Sequence, residues 1–291
     1  MEQRRHQRLI AYGALALAIS GIAWSAILVR WAGIAGPASA FYRVLIAALV
    51  LVPWRLAHGT RRPVSRRAVL LALAGGGFFG LDLALYNTAV MRTAAATASF
   101  LGNAAPVFVG LGAWLVFRRR PSAAFWTGLA LSMAGGATMI LSHVGEPAGP
   151  GDPAGDLLAL TAAAFFAGYL LTAEHLRAEM DTLTFNTLAI LGSVAILLTV
   201  CVILGLPLAG YRPRTWAALA GLGLVSQLGA YYALVYALGH LPATITSVGL
   251  LSQLPLTAML AALLLAEPVT RAQVIGGALV LAGVYVVNRR S

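Results

Sequence analysis

The sequence predicts an all-α polytopic membrane protein, with ten transmembrane helices arranged as two inverted five-helix repeats. Three observations predict it. Of the 291 residues, 60% are hydrophobic and 10% are charged, against roughly 25% charged in an ordinary soluble domain. Alternating loops carry very unequal numbers of arginines. The two halves also resemble each other at a fixed offset, which brings Pro106 onto Pro255.

Composition excludes several function classes. With a mean hydropathy of +0.84, a soluble fold could not cover its surface with polar groups. A cytosolic enzyme, a nucleic-acid binder and a disordered chain are therefore set aside. The net charge of +11 does not point to nucleic acid, because all 20 basic residues are arginines gathered mainly at the ends of apolar runs. That distribution is a topology signal. Cys201 is the single cysteine, which excludes an intrachain disulfide and a cysteine-based metal site. A bilayer core needs about 20 apolar residues per helix. Ten helices then leave room for short loops and two short tails only.

The spans follow in order. The first, about 9–29, comes after Arg4, Arg5 and Arg8; its apolar run is too long for a cleavable signal. It carries Trp24, too deep for an interfacial belt residue, and Ser25. The second, 38–57, holds Arg43 near its start and ends at Arg55. The third, 66–91, opens on Arg66 and Arg67. Its Phe78, Asp82 and Tyr86 lie four apart on one helical face, and lipid would reject Asp82, so that face looks inward. Gly75, Gly76, Gly77 and Gly80 on the same span permit close helix packing. The fourth, 94–117, contains Ser99, Asn103 and Pro106. The fifth is 122–142. A Pro- and Gly-rich connection at 144–153 separates the halves. The sixth, 155–176, carries Phe166 and Tyr169 at the depth of Trp24 and Ser25. The seventh is 183–205. The eighth, 214–238, carries Gln227, Tyr231 and Tyr232. The ninth, 242–265, carries Ser252, Gln253 and Pro255. The tenth is 271–288.

One set of loops receives fourteen arginines, at positions 4, 5, 8, 55, 61, 62, 66, 67, 118, 119, 120, 177, 289 and 290. The other receives five, at 30, 92, 212, 214 and 271. The positive-inside rule places both termini in the cytoplasm and the 144–153 connection in the periplasm. The offset that superposes Pro106 on Pro255 also superposes Ala94, Thr97 and Leu101 on Ala243, Thr246 and Leu250. The first repeat spans 1–143 and the second 154–291. Five spans per repeat is an odd number, so the second repeat enters the membrane inverted, as in many secondary transporters.

The same offset places Phe78 on Gln227, Asp82 on Tyr231 and Asn103 on Ser252. Inward polar and aromatic faces on symmetry-related spans predict a central cavity between the repeats. Its expected substrate-binding residues are Trp24, Phe78, Asp82, Tyr86, Ser99, Asn103, Gln227, Tyr231, Tyr232 and Ser252. Pro106 and Pro255 each lack an N–H in mid-helix, free a carbonyl one turn earlier and are read as hinges. Arg43 is read as structural, either snorkelling to water or pairing with Asp82. Asp82 is expected to be protonated, paired or wetted.

Certain segments resemble the EamA-type drug/metabolite transporter superfamily. They are Phe41-Tyr42-Arg43, the stretch Ala94–Ile140 around Ala105-Pro106-Val107-Phe108, and its second copy Leu241–Val287 with Leu254-Pro255-Leu256 and Ala266-Glu267-Pro268. The first repeat departs from the pattern, with Arg118-Arg119-Arg120 where the second has Glu267. In detail the chain is most similar to YddG-type bacterial amino-acid exporters. The resemblance implies a multi-pass protein of the bacterial inner membrane that exports aromatic and other neutral amino acids by alternating access. The implied partners are the amino-acid substrate and the lipid bilayer. A monomer suffices, because a fused repeat contains both halves of a pore.

No cofactor or metal is expected. There is no lysine with which to build a phosphate-binding Gly-x-x-x-x-Gly-Lys loop, so energy comes from solute or ion gradients. The rival readings are transport of another metabolite or drug, and a non-transporter such as a lipid scramblase. An aspartyl intramembrane protease is excluded, because it needs two carboxylates sharing a proton and Asp82 is the only acid deep in a span.

Overall fold

The computed structural model describes residues 2–59, 63–90, 92–93, 95–141, 152–265 and 269–289. Among the described residues every regular element is helical: α1 (Glu2–Ala32), α2 (Gly36–His58), α3 (Arg66–Val90), α4 (Ala95–Gly102), α5 (Ala105–Leu115), α6 (Ala123–Leu141), α7 (Pro153–Leu176), α8 (Thr182–Ile203), α9 (Pro213–Gly221), a π-helical stretch (Leu222–Ala230), α10 (Tyr231–Leu238), α11 (Ala243–Leu250), α12 (Gln253–Leu265) and α13 (Arg271–Arg289). The connection at 144–151, Glu267 with its neighbours, Ala94, Arg61, Arg62 and Arg290 lie outside the described residues.

Among the described residues, ten single or interrupted helices are long and apolar enough to cross a membrane. Their bounds fall within a few residues of the expected spans. The fourth and ninth spans are each interrupted, at residues 103–104 between α4 and α5 and at 251–252 between α11 and α12. The interruptions end two and three residues before Pro106 and Pro255, where a missing backbone donor favours a break. The eighth span holds one departure from sequence expectation, because its middle is π-helical. A π turn accommodates an extra residue and occurs often at functional sites.

The helices fall into two compact units, residues 1–84 with 168–242 and residues 85–167 with 243–291. Each unit draws on both halves of the sequence, and α3 and α7 contribute to both.

In the first unit, α3 packs on α8 at backbone contact. A Cβ on Gly76 would collide with the Ala189 carbonyl, and the Ser193 hydroxyl donates to the Gly76 carbonyl at 2.7 Å. Such proximity is how apolar helices associate where burial from water supplies no drive. The π-helical stretch meets α1 and α2 in the same way. Ser226 donates to the Gly21 carbonyl at 2.8 Å, and Gly223 abuts Ile46 and the Arg43 carbonyl. At one end of this unit, Asp181 caps α8 by accepting from the Thr184 amide at 2.9 Å. Arg55 of α2 donates to the Thr184 hydroxyl at 2.9 Å. Burial pushes the Arg177 guanidinium below its usual range, opposed by Asp181 and the tyrosines of α10.

In the second unit, α6 and α13 are the closest partners. A Cβ on Gly276 would stand 2.5 Å from the Gly135 carbonyl oxygen, and Ser132 donates to the Val280 carbonyl at 3.2 Å. Small residues Ala104, Ala105 and Ala163 let the broken fourth span settle against α7.

Candidate functional site

Within the first unit, a polar and aromatic cluster lies in the interior of otherwise apolar spans. Arg43 is its centre. It stands seven residues into α2, roughly 10 Å from the helix start at 1.5 Å per residue, and only 7% of it is exposed. Its Nε donates to Gln227 Oε1 at 2.8 Å. Its Nη1 donates to Ser25 Oγ at 3.1 Å. The guanidinium carbon lies 5.1 Å from the centroid of the Tyr231 ring, a cation–π contact. Nη2 is buried without a hydrogen-bond partner. Three elements thus converge on one guanidinium: α1 through Ser25, the π-helical stretch through Gln227 and α10 through Tyr231.

The Tyr231 ring joins a second layer, with Phe79 at 4.7 Å and Tyr169 at 6.3 Å between centroids. Phe79 and Tyr169 are themselves 5.0 Å apart. Gln227 and Tyr231, four residues apart on the eighth span, both meet Arg43. Asp82 is half-buried and within electrostatic reach of both Arg43 and Tyr231. Arg43 nonetheless directs its hydrogen bonds to Gln227 and Ser25, not to Asp82. Of the three expected states of Asp82, the ion pair is the one this geometry does not form. Phe78 precedes Asp82 by one turn, rests against Gly168 and is 36% exposed. Trp24 is half-buried beside Ser25.

Tyr232 stands apart from this group. Its ring stacks on Trp54 at 6.0 Å and 12°. Trp54 is eleven residues beyond Arg43 on α2, about 16 Å along the axis. Sequence reasoning placed Tyr232 with Tyr231. Adjacent helical residues point about 100° apart, which is why only Tyr231 reaches the guanidinium.

The remaining predicted residues lie in the second unit. Asn103, at the break before Pro106, donates from Nδ2 to the Ser99 carbonyl at 2.8 Å. Gln253, at the break before Pro255, donates to Asn103 Oδ1 at 3.4 Å. The two interrupted spans thus touch at their breaks through polar side chains. Ser252 is half-buried next to Gln253. Tyr86 packs against Gly102, whose Cβ would lie 2.7 Å from the Tyr86 ring. Among the described residues no group of three or more His, Cys, Asp or Glu side chains forms a metal-binding cluster.

A family model for the EamA-like transporter family matches this chain twice, over residues 8–141 and 153–289. The chain belongs to the EamA-like transporter family. It is a multi-pass membrane transporter of the drug/metabolite transporter superfamily. An uncharacterized transporter of Archaeoglobus fulgidus is 26% identical over 254 residues, 86% of this chain and 87% of that protein. The uncharacterized transporter YwfM of Bacillus subtilis is 28% identical over 207 residues, 70% of this chain and 68% of that one. A protein of known crystal structure shares the fold with a TM-score of 0.81 at 19% identity, over 98% of this chain and 97% of the other.

Sequence reasoning missed three features of this arrangement. Phe79, one residue from Phe78, is the member of that pair in the ring cluster. The π-helical turn gave no signal, because Leu222–Ala230 reads as an ordinary apolar helix. The Trp54–Tyr232 stack joins spans that are distant in sequence. A tyrosine deep in the eighth span was the signal for Tyr231.

Proposed function

We propose that this EamA-family chain is a secondary transporter of the bacterial inner membrane, with both termini cytoplasmic. It exports small organic solutes, aromatic and other neutral amino acids foremost, by alternating access. The observation that carries this reading is the Arg43–Gln227–Ser25–Tyr231 cluster. Polar and charged groups inside membrane spans are costly and mark substrate or ion pathways, and this set combines hydrogen-bonding groups with an aromatic surface. The Phe79, Tyr169 and Tyr231 rings suit an apolar side chain. The matched breaks before Pro106 and Pro255 supply the discontinuous spans on which such transporters move. The fourteen-to-five arginine split supports the orientation.

The test is export from cells. A bacterial host expressing the chain is fed a phenylalanine-containing dipeptide, and phenylalanine appearing in the medium is timed. Expression should speed efflux several-fold over the same host with an empty vector. Unchanged efflux, with the protein verified in the membrane fraction, would overturn the amino-acid reading.

A further inference from the structure

The cluster around Arg43 has an unusual charge balance. A guanidinium offers five N–H donors. Here Nε and Nη1 meet neutral acceptors, a side-chain amide and a hydroxyl. Its face covers a neutral ring. Nη2 has no acceptor and is buried. On α3, Asp82 stands about one turn beyond Phe79, whose ring packs 4.7 Å from the same Tyr231 ring. Asp82 is partly exposed, while the hydrogen bonds of Arg43 go to Gln227 and Ser25. A guanidinium serving only to hold helices together would have its counter-charge locked onto it, because leaving a buried donor unmade is expensive. This cluster instead holds a cation without a bonded anion and, on a neighbouring element, a carboxyl group without a bonded cation. A free amino acid carries the complementary pair.

We propose that Arg43 and Asp82 read the two charged ends of a zwitterionic substrate, Arg43 Nη2 taking the carboxylate and Asp82 the ammonium group. The inference rests on the amino-acid reading above and gives it a chemical criterion. In the state described here Nη2 is covered, so binding turns the guanidinium outward from the Tyr231 ring toward Asp82. Gln227 and Ser25 are neutral acceptors, which hold the side chain before substrate arrives without neutralising it. The apolar side chain of the cargo is left to the partly exposed Phe78 and the rings beyond it. Arg43 thereby becomes a specificity-determining residue in place of a scaffold residue.

The test uses the purified full chain in liposomes, with labelled phenylalanine flux competed by three unlabelled compounds. These are phenylalanine, phenylalanine amide, which lacks the carboxylate, and 3-phenylpropionate, which lacks the ammonium. Removing one charge-assisted contact should weaken competition by about tenfold or more for each analogue. In Arg43→Gln the gap between phenylalanine and its amide should close to within about threefold, while the gap to phenylpropionate remains. In Asp82→Asn the reverse gap should close. Equal competition by all three compounds in the wild type would overturn the proposal, and this arm needs no variant to fold. Arg43→Gln that transports phenylalanine and still discriminates against the amide as the wild type does would also overturn it. In both cases the amino-acid reading survives. Wild-type liposomes that carry no phenylalanine would instead overturn that reading, and this proposal with it.

Discussion

Gln227 separates what holds Arg43 from what Arg43 does. Its Oε1 accepts from Arg43 Nε at 2.8 Å, and it is 6% exposed. Gln227→Leu keeps the size and removes the acceptor, so Nε joins Nη2 without a partner. A hydrogen bond to a charged group is worth about 1.5–3 kcal/mol in soluble proteins. Inside membranes the measured mean for polar side-chain contacts is about 0.6 kcal/mol and the maximum about 1.7, because the unfolded helices also find partners. A charged donor this well buried belongs at the upper end, about 1.5 kcal/mol. That corresponds to a fall in Tm of about 3–6 °C. Gln227→Glu has the same shape and supplies a carboxylate instead. Its bond to the guanidinium is about twice as strong, so Tm should rise while phenylalanine flux falls, because the guanidinium is then held by a fixed anion. Both quantities are measurable on one preparation, by melting in detergent and by flux in liposomes. A Leu variant melting within about 1 °C of wild type would refute the energetic argument. A Glu variant with undiminished flux would refute the claim that Arg43 must be free of a bonded anion.

Pro106→Ala and Pro255→Ala should slow flux more than they weaken cargo binding, because they restore a backbone donor at each break; wild-type flux in both would make the prolines incidental. Gly276→Leu places a side chain against the Gly135 carbonyl and should abolish recovery of folded protein from detergent. Gly13→Leu, with nothing within 4 Å of its Cβ, should leave recovery unchanged. Asp82→Asn should reduce amino-acid flux without abolishing it, with or without an imposed pH gradient. Uphill transport driven by that gradient and lost completely in the variant would make Asp82 the proton carrier instead.

The spans were legible because a bilayer demands runs of about 20 apolar residues, and here arginine, proline and glycine punctuate them. Pro106 and Pro255 announced the two helix breaks through their missing donors. Asn103 was visible as the polar residue beside the break, and the structure shows it bonded to the carbonyl one turn back. Arg43 was legible as an anomaly but not in its partners. Gln227 lies 184 residues away in sequence, and only the approach of the eighth span to α1 and α2 brings the two together. The π-helical turn was hidden for a related reason. Its Leu- and Gly-rich stretch suits an α-helix equally well, and its register is tied to contacts with Gly21 and Ile46. Tyr231 and Tyr232 were indistinguishable by type, and only the helical angle between them assigns one to Arg43 and the other to Trp54.

The proposed function requires this EamA-family protein to move small zwitterionic solutes across a bilayer without scrambling its lipids. The most direct measurement is counterflow. Purified protein in liposomes loaded with unlabelled phenylalanine is exposed to a trace of labelled phenylalanine, with a fluorescent phospholipid reporting scrambling in the same vesicles. The expected result is a transient accumulation of label above equilibrium that unlabelled phenylalanine outside suppresses, with lipid exchange no faster than in protein-free vesicles. Lipid exchange accelerated by the protein, with label no higher than in protein-free vesicles, would contradict it.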